Sequence, residues 1–143
     1  MGRDKNQRKG KGSKGFNRKN TDDFLDKNRG KPDILLTTSG LQYLIVEAEV
    51  GDKPLDTSRV EVHQRISLMD GTVIDDTYKT SDPAVFSLEE AISGYREGLL
   101  MMSTGSRYRF FIHPDLAWGK RGAGHKIGPN AVLIIDARLI RIL

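Results

Sequence analysis

The stretch Ala117-Trp118-Gly119-Lys120-Arg121-Gly122-Ala123-Gly124, followed by Ile127 and Pro129-Asn130-Ala131, joins an aromatic to three glycines and returns to an apolar strand. Glycine accepts close backbone approach and positive φ, so the stretch reads as a loop folded over an apolar hollow. The chemistry open to such a hollow is non-covalent: a shaped hole favours one geometry of its guest over another. Covalent chemistry has little to work with. The sequence carries no nucleophile and base in a recognisable motif, no carboxylate dyad at readable spacing and no metal set. His63, His113 and His125 lie far apart without zinc-type spacing, so neither a metal nor another cofactor is expected. Cysteine is absent, which removes thiol and disulfide chemistry and fits a reducing compartment.

Three more motifs flank this loop. They are Asp70-Gly71-Thr72-Val73-Ile74-Asp75, then Gly94-Tyr95-Arg96-Glu97-Gly98-Leu99 with Met102 and Gly105 behind it, then Pro114-Asp115-Leu116 running into the loop. In this order and spacing, from Ser39 to Leu143, the sequence resembles the FKBP-type peptidyl-prolyl cis-trans isomerases. The resemblance implies an α+β fold in which a twisted antiparallel β-sheet wraps around one short α-helix. It also implies a pocket of Ile74, Asp75, Ile92, Tyr95, Trp118, Ile127 and Ile135, with the backbone of Ala91 presenting polar groups to a peptide.

By that resemblance, Tyr95 takes the place of the indole floor under the proline ring. Trp118 stands where the family more often has a tyrosine whose hydroxyl bonds a ligand carbonyl, and an indole N–H donates with a different reach. Asp75 matches the pocket aspartate, which polarises the site or orients the substrate. Asp75, Tyr95 and Trp118 are therefore the expected catalytic residues, and Gln64, Ile74, Ala91, Ile92, Ile127 and Ile135 the expected substrate-binding ones. Gln64 replaces a frequent tyrosine, Ile74 and Ile135 replace phenylalanines, and Gly128 precedes Pro129 where a second proline is common. The pocket thus loses aromatic surface and gains an amide. Without the resemblance, Tyr95 and Ile92 read as helix-to-sheet core, and Asp75 as a turn-capping carboxylate.

Prolyl isomerisation needs none of the missing groups, because its barrier of about 18–20 kcal/mol comes from amide resonance. Twisting the X-Pro amide reduces its charge separation, so a dry apolar hole disfavours the planar form relative to the twisted one. The function implied is isomerisation of X-Pro bonds in protein substrates, assisting folding. A second reading keeps the fold as a weakly active or inactive binding module for proline-containing segments, recruited to RNA or the ribosome. Gln64, Ile74 and Ile135 favour the second reading; the retained Asp75, Ile92, Tyr95, Trp118 and Ile127 favour the first.

The elements that must position these residues are legible as patterns. Leu41 to Glu49 and Arg59 to Leu68 read as strands, the second with Val60, Val62, Gln64, Ile66 and Leu68 on one face. Asp70-Gly71 signals a turn into a second extended run at Val73-Ile74. Ser87, with Glu90 three residues on, predicts the start of a helix carrying Leu88, Ala91, Ile92 and Tyr95 on one face, shortened by Gly94. Arg107 to His113 and Val132 to Leu143 read as two further strands, the latter with Leu133, Ile135, Ala137 and Leu139 together.

Charge divides the 143-residue chain. Eleven basic against four acidic side chains leave residues 1–31 at +7, so within a total of +4 the remainder stands at −3. A Gly-, Asn- and Lys-rich, like-charged segment buries too little to offset its conformational entropy. Residues 1–36 are therefore expected to form a disordered basic arm, and residues 37–143 the folded domain. The arm reads as a solubilising tail or as a contact with RNA, foremost ribosomal RNA, through Arg3, Lys5, Arg8, Lys9, Lys11, Lys14, Arg18 and Lys19. Gly10-Lys11-Gly12-Ser13-Lys14-Gly15 fits a dinucleotide fingerprint by letter only, with no strand pattern before it and no helix pattern after it. No apolar run approaches the roughly 20 residues of a membrane span, and no apolar segment follows the N-terminal charges. The expectation is a monomeric cytoplasmic protein without membrane contact.

Overall fold

Alternation in the strand over Arg59–Leu68 sets the frame of the molecule: Val60, Val62 and Leu68 are buried on one face with Gln64, while Arg59 and Arg65 stay exposed. The computed structural model describes residues 15–143. In chain order these form α1 (Arg18–Arg29), β1 (Leu35–Leu36), β2 (Gln42–Glu47), β3 (Arg59–Leu68), β4 (Val73–Asp76), the single turn α2 (Thr77–Thr80), β5 (Ala84–Ser87), α3 (Ser93–Met101), β6 (Arg107–Ile112) and β7 (Leu133–Ile142). Every strand pairing is antiparallel, in the order β1-β2-β6-β7-β3-β4, with β5 also on β3. The expected hairpin is present: Gly71, at φ +92°, turns β3 into β4, and Asp70 Oδ1 accepts from the Thr72 N–H.

The expected Ser87 cap is present, but it caps something shorter than a helix. Ser87 and Glu90 form a reciprocal capping box on a 3-10 turn, Leu88–Glu90, after which Ala91 and Ile92 are extended. Helix α3 begins only at Ser93. The glycines inside it allow close packing: a Cβ on Gly98 would lie 2.4 Å from the Phe110 ring, and one on Gly94 2.5 Å from Ile112 Cγ2. Their absent side chains let α3 press onto β6, and this contact outweighs the helix-propensity cost of about 1 kcal/mol each.

One face of the sheet packs on α3 through a core that includes Val60, Val62, Leu99, Phe110, Leu133, Ile135, Ala137 and Leu139. The opposite face carries Phe111 and Val132, with Ile134 partly buried beside them, and α1 covers it through Leu25 and Phe24. Phe110 and Phe111 are neighbours on β6 and point to opposite sides, as the two-residue strand period requires.

This corrects the expectation of a disordered arm for residues 15–36; the rest of that expected arm, residues 1–14, lies outside the described residues. Phe16 packs on the main core, α1 is capped by the Asn17 side chain accepting from the Asn20 N–H, and Thr21, Leu25 and Asn28 are buried. The folded part therefore reaches at least as far back as Phe16, and a helix does follow Gly15. The arm's average charge concealed Phe24, Leu25 and Ile34, whose burial depends on an apolar sheet face far away in sequence. Arg3, Lys5, Arg8, Lys9, Lys11 and Lys14 lie outside the described residues. No helix among the described residues is long and apolar enough to cross a membrane.

Candidate active site

A hollow of about 200 Å³ opens beside the N-terminus of α3. Tyr95 of α3 and Ala91 and Ile92 of the extended bend line it, together with Gln64 and Ile66 of β3, Leu133 and Ile135 of β7, Phe86 of β5, Glu90 and Trp118. The pairings Ile66↔Ile135 and Leu68↔Leu133 bring β3 and β7 side by side beneath it. It is smaller than the roughly 300–1,000 Å³ of sites for drug-sized ligands and suits a single ring with its adjoining amide.

Tyr95 is buried, its ring 5.7 Å from Phe86 and edge-on to Phe110 at 6.2 Å. Its hydroxyl donates to Gln64 Oε1 at 2.8 Å, and Gln64 Nε2 donates to Asp75 Oδ2 at 2.9 Å. Burial holds the Tyr95 hydroxyl well above the ordinary phenol range, and the charges of Tyr78, Asp75 and Asp136 push the same way. The phenol therefore stays a neutral donor, which orients the Gln64 amide with its oxygen toward Tyr95 and its nitrogen toward the carboxylate. Ala91 N–H bonds the Leu88 carbonyl and Ile92 C=O accepts from Arg96, while the Ile92 N–H has no partner among the described residues. Trp118 lies at the rim, 40% exposed.

Gln64, Ala91, Ile92, Tyr95, Trp118 and Ile135 thus converge on one hollow. Ile74 packs against the main core instead, and Ile127 is buried beneath the loop, 7% exposed. Asp75 is solvent-exposed on β4 and reaches the hollow through Gln64. Ile66, Phe86, Glu90 and Leu133 also line the hollow, beyond the residues expected from the sequence. Two of these were within reach of the two-residue strand period, since Ile66 follows Gln64 and Leu133 precedes Ile135 on the same faces. Phe86 comes from a strand that carries no distinctive pattern, and Glu90 reads in the sequence only as the partner of a helix cap.

Of the expected arm residues in the described part, Arg18 bonds Asp115 at 3.2 Å and Lys19 bonds Asp23 at 2.9 Å. Both are engaged within the chain. Among the described residues no group of three or more His, Cys, Asp or Glu side chains is placed to hold a metal ion.

The sequence profile of the FKBP-type peptidyl-prolyl cis-trans isomerases matches residues 51–140, and the chain belongs to that family. It is 42% identical over 126 residues to the outer membrane protein MIP of Legionella longbeachae, covering 88% of this chain and 54% of that one. It is 40% identical over 126 residues to the FKBP-type isomerase FkpA of Aeromonas hydrophila, covering 88% and 47%. The chain thus spans about half the length of these curated relatives. Among solved structures, FkpA of Escherichia coli superposes with a TM-score of 0.82 at 31% identity, over 87% of this chain and 58% of that one. A peptidyl-prolyl cis-trans isomerase of Pseudomonas syringae gives 0.81 at 31%, over 87% and 91%.

Proposed function

We propose that this chain catalyses cis-trans isomerisation of X-Pro bonds in proline-containing polypeptides. The observation that carries the proposal is the apolar hollow floored by Tyr95, with the unpartnered Ile92 N–H at its edge. A proline ring seated on Tyr95 between Ile92, Ile135 and Phe86 leaves water behind. Its amide then sits where the planar, charge-separated form is poorly solvated, so the barrier to twisting falls. Each tenfold of rate asks for about 1.4 kcal/mol of this difference. The Ile92 N–H offers a donor to a neighbouring substrate carbonyl and so positions the chain without bonding the rotating amide. Asp75, through Gln64, keeps the Tyr95 hydroxyl directed away from the ring face.

A protease-coupled or NMR-exchange assay on a set of X-Pro peptides tests the proposal. Turnover above the uncatalysed rate is expected, and it falls in Ile92→Ala. Absence of turnover in folded protein would overturn it and leave a binding module. We also propose a monomer, residence in the cytoplasm and contact of the basic residues before Gly15 with RNA. The cysteine-free composition supports the compartment and the charge asymmetry supports the contact. One relative is named an outer membrane protein, so cell fractionation is the test of compartment. Sedimentation with RNA at low and moderate salt is the test of the arm.

A further inference from the structure

The loop that carries Trp118 into the hollow is tied at both flanks to the segment just before and within the first turn of α1. On one flank, Arg18 Nη1 and Nη2 reach the two oxygens of Asp115, in the 3-10 turn Pro114–Leu116 that leads into Trp118. On the other, Asn130 gathers four bonds. Its N–H donates to the Gly119 carbonyl at 2.9 Å, next to Trp118. Its carbonyl accepts from Thr21 Oγ1 at 2.7 Å, its Nδ2 donates to the Phe16 carbonyl at 3.0 Å, and its Oδ1 accepts from Arg18 at 3.5 Å. The Phe16 N–H donates to the Pro129 carbonyl at 2.8 Å. Gly15 lies so close that a Cβ there would stand 2.5 Å from the Pro129 ring. Asn130 itself holds φ +58°, a conformation that asparagine accepts more readily than most residues and that these bonds sustain.

We propose that Thr21 and Asn130 are positioning residues for the isomerase site, and that the N-terminal segment 16–21 acts as a clamp setting the place of Trp118 over the hollow. Thr21 is buried and 109 residues from its acceptor in sequence, so its hydroxyl fixes the base of the loop against the body of the protein. Trp118 is 40% exposed at the rim, so nothing beyond it blocks outward movement of the loop. Loss of the clamp moves Trp118 outward and weakens the contact it makes with bound peptide, without dismantling the core on the far side of the hollow. This inference rests on the isomerase reading for its kinetic consequence, but not for its structural one.

The test uses the full chain with Thr21→Val, Asn130→Gly and both together; glycine retains the positive φ at position 130 while removing the side-chain bonds. Two readouts are taken on each protein: kcat/KM on an X-Pro peptide, and acrylamide quenching of Trp118, the chain's single tryptophan. The double variant should lose about fivefold or more in kcat/KM, within the roughly 100-fold that a 1 Å misplacement of a reacting contact can cost. Its Trp118 emission should become more readily quenched, while the far-ultraviolet circular dichroism stays that of the parent. Thr21→Ser, which restores the hydroxyl, should bring both readouts back. Folded variants with unchanged kcat/KM and unchanged quenching would overturn the clamp. If the double variant fails to fold, the single variants decide by the same two readouts. If the parent itself shows no turnover, the isomerase reading fails while the quenching series still decides whether segment 16–21 holds the loop.

Discussion

The two faces of the sheet are covered by helices in different ways. On the hollow side, α3 has glycines at its contact with β6 and presses onto Phe110 and Ile112, so the union is almost wholly apolar and closely fitted. On the other side, α1 meets a small cluster of Leu25, Phe111 and Val132, and polar anchors do much of the holding. Buried Gln42 of β2 accepts from Asn28 Nδ2 at 2.8 Å and donates to the Leu25 carbonyl at 3.0 Å, while Thr21 bonds Asn130. Apolar fit is proportional to area and insensitive to direction, whereas a buried hydrogen bond is directional and costly to leave half-made. The hollow is thus built on the apolar, closely fitted side, and its rim is fastened by the directional, hydrogen-bonded side.

The adjacent phenylalanines of β6 break this comparison most sharply. Phe110→Ala, on the fitted side, should cost about 4–5 kcal/mol, and Phe111→Ala, against the smaller cluster, about 3 kcal/mol. Urea unfolding of the two variants measures the difference, and equal losses would mean that the faces are equivalent. Deletion of residues 1–36 comes next. It uncovers Phe111 and Val132 and strips both partners from Gln42, for an expected loss of about 2–4 kcal/mol. An unchanged melting temperature would show that α1 adds nothing to the fold.

Tyr95→Phe removes the hydroxyl from Gln64 and should cost about 1 kcal/mol near neutral pH. The same variant sharpens the comparison through pH. The Tyr95 proton is held well above the ordinary phenol value by burial, and that of Tyr78 is pushed up to about 12 by burial and by Asp136. A raised folded-state pKa contributes stability that is complete below the unfolded phenol value of about 10 and is lost as pH climbs through the folded one. Parent stability should therefore decline above pH about 10, and more steeply than that of Tyr95→Phe, as unfolding at a series of alkaline pH values will show. The smallest effect on folding is expected for exposed Asp75. Asp75→Ala, which leaves the Gln64 Nε2 without its acceptor, should cost no more than about 1 kcal/mol while lowering turnover, and full activity would remove Asp75 from the site.

What the sequence determined by itself was whatever neighbouring residues could specify. The alternation of Val60, Val62 and Leu68, and of Leu133, Ile135, Ala137 and Leu139, defines strand faces within a few residues. Asp70-Gly71 supplies a turn that only its own backbone must satisfy, and Ser87 with Glu90 makes a cap from two side chains three positions apart. The membership of Tyr95, Ile92, Ala91, Gln64, Trp118 and Ile135 in one hollow became legible through the family pattern rather than through any local period.

Tertiary structure decided the rest. Helix α1 exists in a segment whose charge argues against folding, because Phe111, Val132 and Gln42 offer it a surface that no local pattern announces. Ala91 and Ile92 are extended rather than helical, and the bend leaves the Ile92 N–H without a partner among the described residues. Phe86, Leu133 and the chain from Tyr95 through Gln64 to Asp75 join residues that lie up to 31 positions apart along one hydrogen bond, and Thr21 meets Asn130 across 109. Period and propensity act over a few residues, whereas a hydrogen bond or a packed ring acts over a few ångströms of space. Only the completed sheet brings those two lengths together.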